Sequence, residues 1–155
     1  EGFANHVNEV ARQFEISLHP QCWHKIQPST SMMAHSIIKA IMKVESIELA
    51  NQYSALLRHR FFMEAMDISK LDALQELAQS LKINWSEVLT YFNDGFALAD
   101  LQQDFQNAQG YQVSVSPAWV FNEGRQRLIG NVGYRVIEAN LKELIEQKPM
   151  PQLWC

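Results

Sequence analysis

Apolar residues recur at helical spacing through the first two thirds of the chain. At the start, apolar positions 3, 7, 10, 11 and 14 predict an amphipathic helix over Gly2–Gln13. Between Thr30 and Gly110 the sequence contains one glycine, Gly95, and no proline. Because both residue types interrupt helices, their scarcity indicates a block of packed helices.

Helix-start signals divide this block into five predicted helices. Ser69 with Asp72 has the spacing of a capping box, and so does Asn84 with Glu87. Gly110 stands where a left-handed glycine is expected to end the last helix. The helices are predicted at residues 31–44, 46–65, 69–81, 84–93 and 96–108. Their apolar stripes predict a core that includes Ala34, Ile37, Ile38, Ile41, Ala50, Tyr53, Leu57, Phe61, Leu71, Leu74, Leu77, Ala78, Leu81, Trp85, Val88, Leu89 and Phe92.

The pattern changes after Gly110, where β-branched and aromatic residues replace the helical spacing. Residues 113–121 and 127–130 are predicted as the two strands of a hairpin, and a Glu-Gly turn joins them. An amphipathic helix is predicted to follow over residues 134–147. The order of elements in this part is therefore strand, strand, helix.

A hairpin alone leaves the predicted sheet unfinished. Two strands are marginal in isolation, and they expose unpaired edges beside apolar side chains. Residues 15–19 alternate enough to form a short extended segment, which could complete the sheet together with a partner chain. The alternative, which we favour, is that further strands are encoded before Glu1, since the chain starts with Glu rather than Met.

Composition narrows the class of protein. Of the 155 residues, 47% are hydrophobic and 19% charged, as in one ordinary globular domain. The formal charge of −4 provides no general attraction to nucleic acid or anionic lipid, so we expect neither as a partner. No apolar run approaches the roughly 20 residues of a membrane span, and residues 1–8 lack the order of a signal peptide.

Cysteine and histidine usage points to no metal or redox centre. The two cysteines, Cys22 and Cys155, are too far apart in sequence for a C-x-x-C pair, which favours a reducing, cytoplasmic location. His19, Cys22 and His24 are residue types that bind zinc, but their spacing is not a standard ligand pattern and a fourth ligand is not evident. We predict no metal site and no cofactor.

Two segments carry a resemblance to a known family. Residues 113–121 read VSVSPAWVF and precede a turn, a strand and a Gly-Tyr-Arg helix start, while residues 61–69 in the helical block read FFMEAMDIS. Both segments resemble the DsbA-type family of thioredoxin-fold proteins, including its FrnE-like branch. In that family a Val-Ser/Thr-Pro step with a cis proline enters a strand, and a large helical block separates the two halves of the thioredoxin motif.

The resemblance implies an α/β protein with a thioredoxin-like fold and a large helical insertion, mostly α in the residues present. It divides the chain into an N-terminal helix and linker loop (1–29), a helical insertion domain (30–110) and a C-terminal β-β-α half (111–148). The family's C-x-x-C lies in an N-terminal β-α-β segment that nothing in this sequence matches. The implied function is a thiol–disulfide oxidoreductase or isomerase that is inactive as this fragment, with no catalytic residue in the chain.

The resemblance assigns substrate binding to Val115, Ser116 and Pro117. From the residues alone a trans proline is expected, because only about 5–6% of X-Pro bonds in folded proteins are cis. In the family the cis bond turns the backbone of the preceding residue, here Ser116, towards the reactive sulfur. There its N–H and C=O pair with a substrate peptide like an added strand. A turn or capping role for the Ser116 hydroxyl remains the alternative.

Two other functions remain open. One is a glutathione-dependent isomerase or kappa-type transferase of the same architecture, in which a serine replaces the cysteine pair. The other is a non-catalytic binding module that uses an apolar groove or the open sheet edge. The partner is accordingly a thiol- or disulfide-containing protein, or a small thiol such as glutathione, and a second copy of the chain could cover the sheet edge.

Overall fold

A computed structural model describes residues 2–24 and 26–146 of the chain. These residues form six helices, a two-stranded hairpin and a seventh helix. The chain divides into two compact units, the first ending at Gln103 and the second beginning at Asp104. The elements are α1 (Gly2–Gln13), α2 (Met32–Val44), α3 (Ile47–Glu64), α4 (Leu71–Ser80), α5 (Trp85–Asn93), α6 (Phe96–Gly110), β1 (Ala118–Phe121), β2 (Gln126–Ile129) and α7 (Tyr134–Glu146).

The core of the first unit lies between α2, α3, α4 and α5. Its largest fully buried side chains are those of Ile37, Ile41, Tyr53, Leu74 and Val88, all of which the apolar stripes predict. The Tyr53 hydroxyl donates a hydrogen bond of 3.0 Å to the Leu74 carbonyl, which satisfies the only polar group of that ring inside the core. The predicted inward faces of α2 to α5 are confirmed.

Side-chain hydrogen bonds cap the starts of α3 and α5. The Ser46 hydroxyl accepts from the Leu49 N–H at 3.1 Å, and the Asn84 side-chain oxygen accepts from the Glu87 N–H at 3.5 Å. The predicted box at Asn84 is incomplete, because Glu87 accepts from the Asn84 side-chain amide while the Asn84 backbone N–H donates to Glu45. The predicted capping box of Ser69 and Asp72 is wrong. Ser69 instead donates to Asp67 through its N–H and its hydroxyl, so helix α4 begins at Leu71 without a side-chain cap.

The end of α6 corrects the predicted role of Gly110. Gly110 is the last residue of the helix, and the left-handed residue is Gln112, with φ of 53°. The Gln112 N–H donates to the Gln109 carbonyl, and the Val113 N–H donates to the Ala108 carbonyl. This is the bonding pattern of a Schellman motif, which ends the helix two residues later than predicted.

The hairpin is shorter than the sequence predicts. Strands β1 and β2 pair antiparallel, and Ala118 faces Ile129 at one end of the register. Residues 113–117 precede β1 as irregular backbone. The expected extended segment at residues 15–19 is no strand either. The Glu15 and Ile16 N–H groups donate to carbonyls at the end of α1, and the His19 N–H donates to the Phe62 carbonyl at 2.8 Å, so these bonds form no ladder with another strand.

Within the described ranges the sheet contains these two strands alone. A hydrogen bond between Gln126 of β2 and Asn140 links the hairpin to α7. No helix in the described part of the chain has the length and apolar character that crossing a membrane requires.

Candidate functional site

The three residues predicted to bind substrate form one exposed loop at the entry to β1. Val115 exposes 49% of its surface, and Ser116 and Pro117 are also exposed. The peptide bond between Ser116 and Pro117 is cis. Among the residues that the structure describes, none forms a hydrogen bond with the backbone of Val115 or Ser116. The loop therefore presents free donors and acceptors to solvent.

Strand β2 holds the far end of this loop. The Pro117 carbonyl accepts a hydrogen bond of 2.9 Å from the Gly130 N–H, one step beyond the pair formed by Ala118 and Ile129. Gly130 has φ of +84°, a conformation that glycine adopts without steric cost. The bond extends the ladder past the end of β1 and fixes the direction in which Ser116 enters the strand.

A second set of contacts ties β2 to the segment that follows α6. Arg127 donates to the Tyr111 carbonyl and to the Gln112 side chain, each at 2.8 Å. The Tyr111 ring lies over the hairpin turn, where a Cβ added to Gly124 would approach its Cδ1 atom to 2.9 Å. These contacts anchor the hairpin at the turn, at the opposite end from the Ser116–Pro117 loop.

The hairpin surface beside the loop is apolar and open. Trp119 and Ile129 expose 44% and 47% of their surfaces, and Val120 is also exposed. Exposed apolar side chains next to unpaired backbone groups are typical of a strand that can accept a further strand. The predicted site residues and this apolar surface are thus contiguous along the chain.

Cys22 lies elsewhere and has the character of a structural thiol. It is 3% exposed, in the first unit, and burial raises the pKa of its thiol. Because the thiolate is the nucleophile, a raised pKa lowers the reactive fraction at neutral pH. Cys155 lies outside the described residues.

The neighbouring histidines engage other groups. His19 Nδ1 accepts from the Gln21 N–H at 3.1 Å, and His24 Nε2 lies 3.4 Å from the Asn8 amide nitrogen. In the described ranges no three His, Cys, Asp or Glu side chains are grouped so that they could hold a metal ion.

Comparison with known proteins bears on the fold. No protein-family model matches the sequence, and no curated protein matches it significantly. The structure is similar to the crystal structure of a candidate protein disulfide isomerase from Nitrosomonas europaea, with a TM-score of 0.71 and 23% sequence identity. The match covers 92% of this chain and 69% of that one. The fold is thioredoxin-like, with a helical insertion.

The order of the elements is consistent with this fold, since a block of helices precedes the β1-β2-α7 run. The predicted fold class is confirmed, including its predominantly helical character. Substrate binding by Val115, Ser116 and Pro117 stays a prediction, as does the division into three segments.

Proposed function

We propose that this chain carries the substrate-binding half of a thiol–disulfide oxidoreductase or isomerase of the DsbA type. The observation that carries the proposal is the exposed Ser116–Pro117 loop, whose preceding backbone is unpaired, at the entry to an open strand of a thioredoxin-like fold. An extended substrate segment pairs there with Val115 and Ser116 as an added strand. Its apolar side chains then meet Trp119 and Val120.

The redox step needs a dithiol that these 155 residues do not contain, because their two cysteines are Cys22 and Cys155. In the proposed reaction an external thiolate attacks one sulfur of a substrate disulfide, forms a mixed disulfide and releases the other sulfur as a thiolate. The second external thiol then attacks the mixed disulfide. The substrate leaves as a dithiol, and the external pair is oxidised to a disulfide.

Peptide binding tests the docking role of the loop directly. We expect a ten-residue cysteine-containing peptide to shift the amide resonances of Val115 and Ser116 in an NMR titration. Ser116→Pro removes the N–H and should weaken binding at least tenfold, whereas Ser116→Ala keeps the backbone and should bind within about twofold of the parent. Equal loss in both variants, at unchanged circular dichroism, would contradict the proposal.

Activity assays separate the redox function from the alternatives. We expect the 155-residue chain alone to show no insulin-disulfide reduction. Turnover that disappears in Cys22→Ser would overturn the assignment of the dithiol to residues outside this chain. The gene sequence before the Glu1 codon decides between the classes: C-x-x-C supports the oxidoreductase, and a lone serine or cysteine in that position supports a glutathione-dependent enzyme.

A further inference from the structure

The helical unit contains a cavity of about 360 Å³ that is separate from the Ser116–Pro117 loop. Apolar side chains make up most of its wall, and four polar side chains, those of Ser31, His35, Ser54 and Arg58, also line it. Its volume is within the range of small-ligand sites. The apolar wall includes Trp23, Ile38, Leu57, Phe61, Phe62 and Ile68.

Trp23 is the most unusual residue of this wall. Its ring is held edge-to-face between Phe3 and Phe61, with ring centroids 5.0 and 5.1 Å away. Its backbone has φ of 64°, which is a strained conformation for a bulky residue. Its Nε1 atom is buried and has no hydrogen-bond partner among the described residues. Buried N–H groups nearly always have a partner, so this donor calls for an acceptor from a ligand or a water molecule.

The charges around the cavity have one sign. Arg58 contributes a cation on an exposed side chain, and its Nη1 donates to the Ser54 hydroxyl at 2.8 Å. Ser31, Ala34 and His35 line the cavity from the start of α2, whose first turn contains no acidic residue. The start of a helix carries a partial positive charge. No Asp or Glu is among the residues that line the cavity.

His35 adds no negative charge, and the proton donor of its ring is engaged within the protein. Its Nδ1 lies 2.7 Å from the Ser31 carbonyl, and because a carbonyl only accepts, that nitrogen carries the proton. The Arg58 cation and the start of α2 therefore both favour an acceptor that is negatively charged. The aromatic and aliphatic wall favours an apolar body attached to it.

We propose that this cavity binds a small amphipathic carboxylate, with an aromatic or short aliphatic body against Trp23 and Phe61 and the carboxylate near Arg58. At roughly 30 Å³ for each water-sized group, the cavity accommodates about a dozen non-hydrogen atoms. That size excludes long-chain fatty acids as complete occupants. The site lies within the first unit and is independent of the proposed redox function.

Calorimetry with a matched ligand pair tests charge and shape separately. The probe is 3-phenylpropanoate, and the control is 3-phenylpropanamide, which has nearly the same shape without the charge. We expect the carboxylate to bind with a Kd of about 1 mM or tighter, as suits roughly a dozen ligand atoms. The amide should bind about three- to fivefold more weakly, the ratio expected for a partly solvated ion pair.

Three variants assign the contacts. Arg58→Gln should remove the preference for the carboxylate and leave amide binding unchanged. Arg60→Gln, on the same helix but outside this cavity, is the matched control and should alter neither affinity by more than about twofold. Trp23→Phe keeps an aromatic ring and loses the N–H, so it should weaken both ligands about two- to tenfold.

Spectroscopy adds a readout specific to the indole. In the parent protein the Trp23 Nε1–H resonance should shift on addition of either ligand. Absence of binding at 10 mM of either ligand, equal affinities for carboxylate and amide, or identical effects of Arg58→Gln and Arg60→Gln would each overturn the proposal. A Trp23 resonance that stays in place while the ligand binds would also overturn it.

Discussion

Asp67 organises the turn between α3 and α4 through one carboxylate. Its Oδ1 accepts from the Ser69 hydroxyl at 2.6 Å and from the Ser69 N–H at 3.0 Å. The Ser69 hydroxyl bond is the main reason that the pKa of Asp67 is lowered from its ordinary value of 3.8, with the N–H bond and Lys70 acting in the same direction. The bonds favour the ionised form, since a carboxylate accepts and a protonated acid does so less well.

This linkage predicts a stability difference that depends on pH. Because the folded pKa is below the unfolded value, the contribution is fully present above about pH 4 and is lost as pH falls through the folded pKa. Asp67→Asn should therefore lower the free energy of unfolding at pH 7, and its deficit relative to the parent should shrink below pH 4. Urea unfolding of the parent and the variant from pH 7 to pH 2.5 measures this deficit. Ser69→Ala should reproduce part of the loss at pH 7, and a deficit for Asp67→Asn that is independent of pH would contradict the prediction.

Gly124 is required by the hairpin turn for two reasons. Its φ of +91° is unfavourable for any side chain, and an added Cβ would meet the Tyr111 ring at 2.9 Å. Gly124→Ala should destabilise the second unit by about 1–3 kcal/mol. Gly133→Ala is the matched control, because a Cβ there meets nothing within 4 Å, and its effect should stay within about 0.5 kcal/mol. Thermal unfolding compares the two, and equal effects would contradict the close approach of Tyr111.

At the scale of elements, two helices end at left-handed residues that are not glycines. At the end of α4, Lys82 has φ of 58°, and the Lys82 and Ile83 N–H groups donate to the Gln79 and Ala78 carbonyls. Gln112 has the same role after α6. The side chains in these positions contribute no cap bond, so the backbone pattern alone ends both helices.

Lys82→Gly should consequently stabilise the protein. A left-handed conformation costs a non-glycine residue about 1–2 kcal/mol, and glycine loses about 0.5–1 kcal/mol in extra chain entropy, so we expect a gain of about 0.5 kcal/mol. Glu76→Gly, in the exposed interior of the same helix, should instead cost about 1 kcal/mol. Urea unfolding of the two variants tests the contrast. A loss of stability in both would show that Lys82 has a role besides its backbone conformation.

At the scale of the molecule, the core is confined to one part of the chain. Every residue that the structure describes as buried precedes Asp104, so the described residues of the hairpin and α7 include none. A segment that has few buried contacts can open locally at a low cost in free energy. The second unit thus presents its hydrogen bonds to solvent, whereas α2 and α3 are packed on several sides.

Amide hydrogen exchange should reveal this difference. We expect the slowest exchange in α2 and α3, with protection that approaches the global free energy of unfolding, and the fastest exchange of bonded amides in β1, β2 and α7. Mass spectrometry of peptic fragments measures both parts in one experiment. Uniform protection along the chain would mean that the hairpin is covered, for example by a second copy of the chain, and size-exclusion chromatography would then show a dimer.

The sequence by itself determined the helical block, its inward faces and the order strand, strand, helix. Hydrophobic periodicity depends only on residues that are close together in sequence, and so do the caps at Ser46 and Asn84. The Ser69 cap failed because α4 begins at Leu71, which leaves Ser69 one residue before the N-cap position. Residues 15–19 form no strand, because the alternation of apolar and polar residues specifies which face is buried but provides no neighbouring strand to pair with.

Only the tertiary structure decided which distant residues meet. Trp23 and Arg58 are remote in sequence, and neither has a local pattern that marks it as part of one cavity. The sequence likewise does not reveal that the Trp23 Nε1–H lacks a hydrogen-bond partner or that the backbone at Ser116 is unpaired. A hydrogen bond is satisfied or left open by whatever packs beside it, and that depends on the fold as a whole, whereas periodicity and capping act within a few residues.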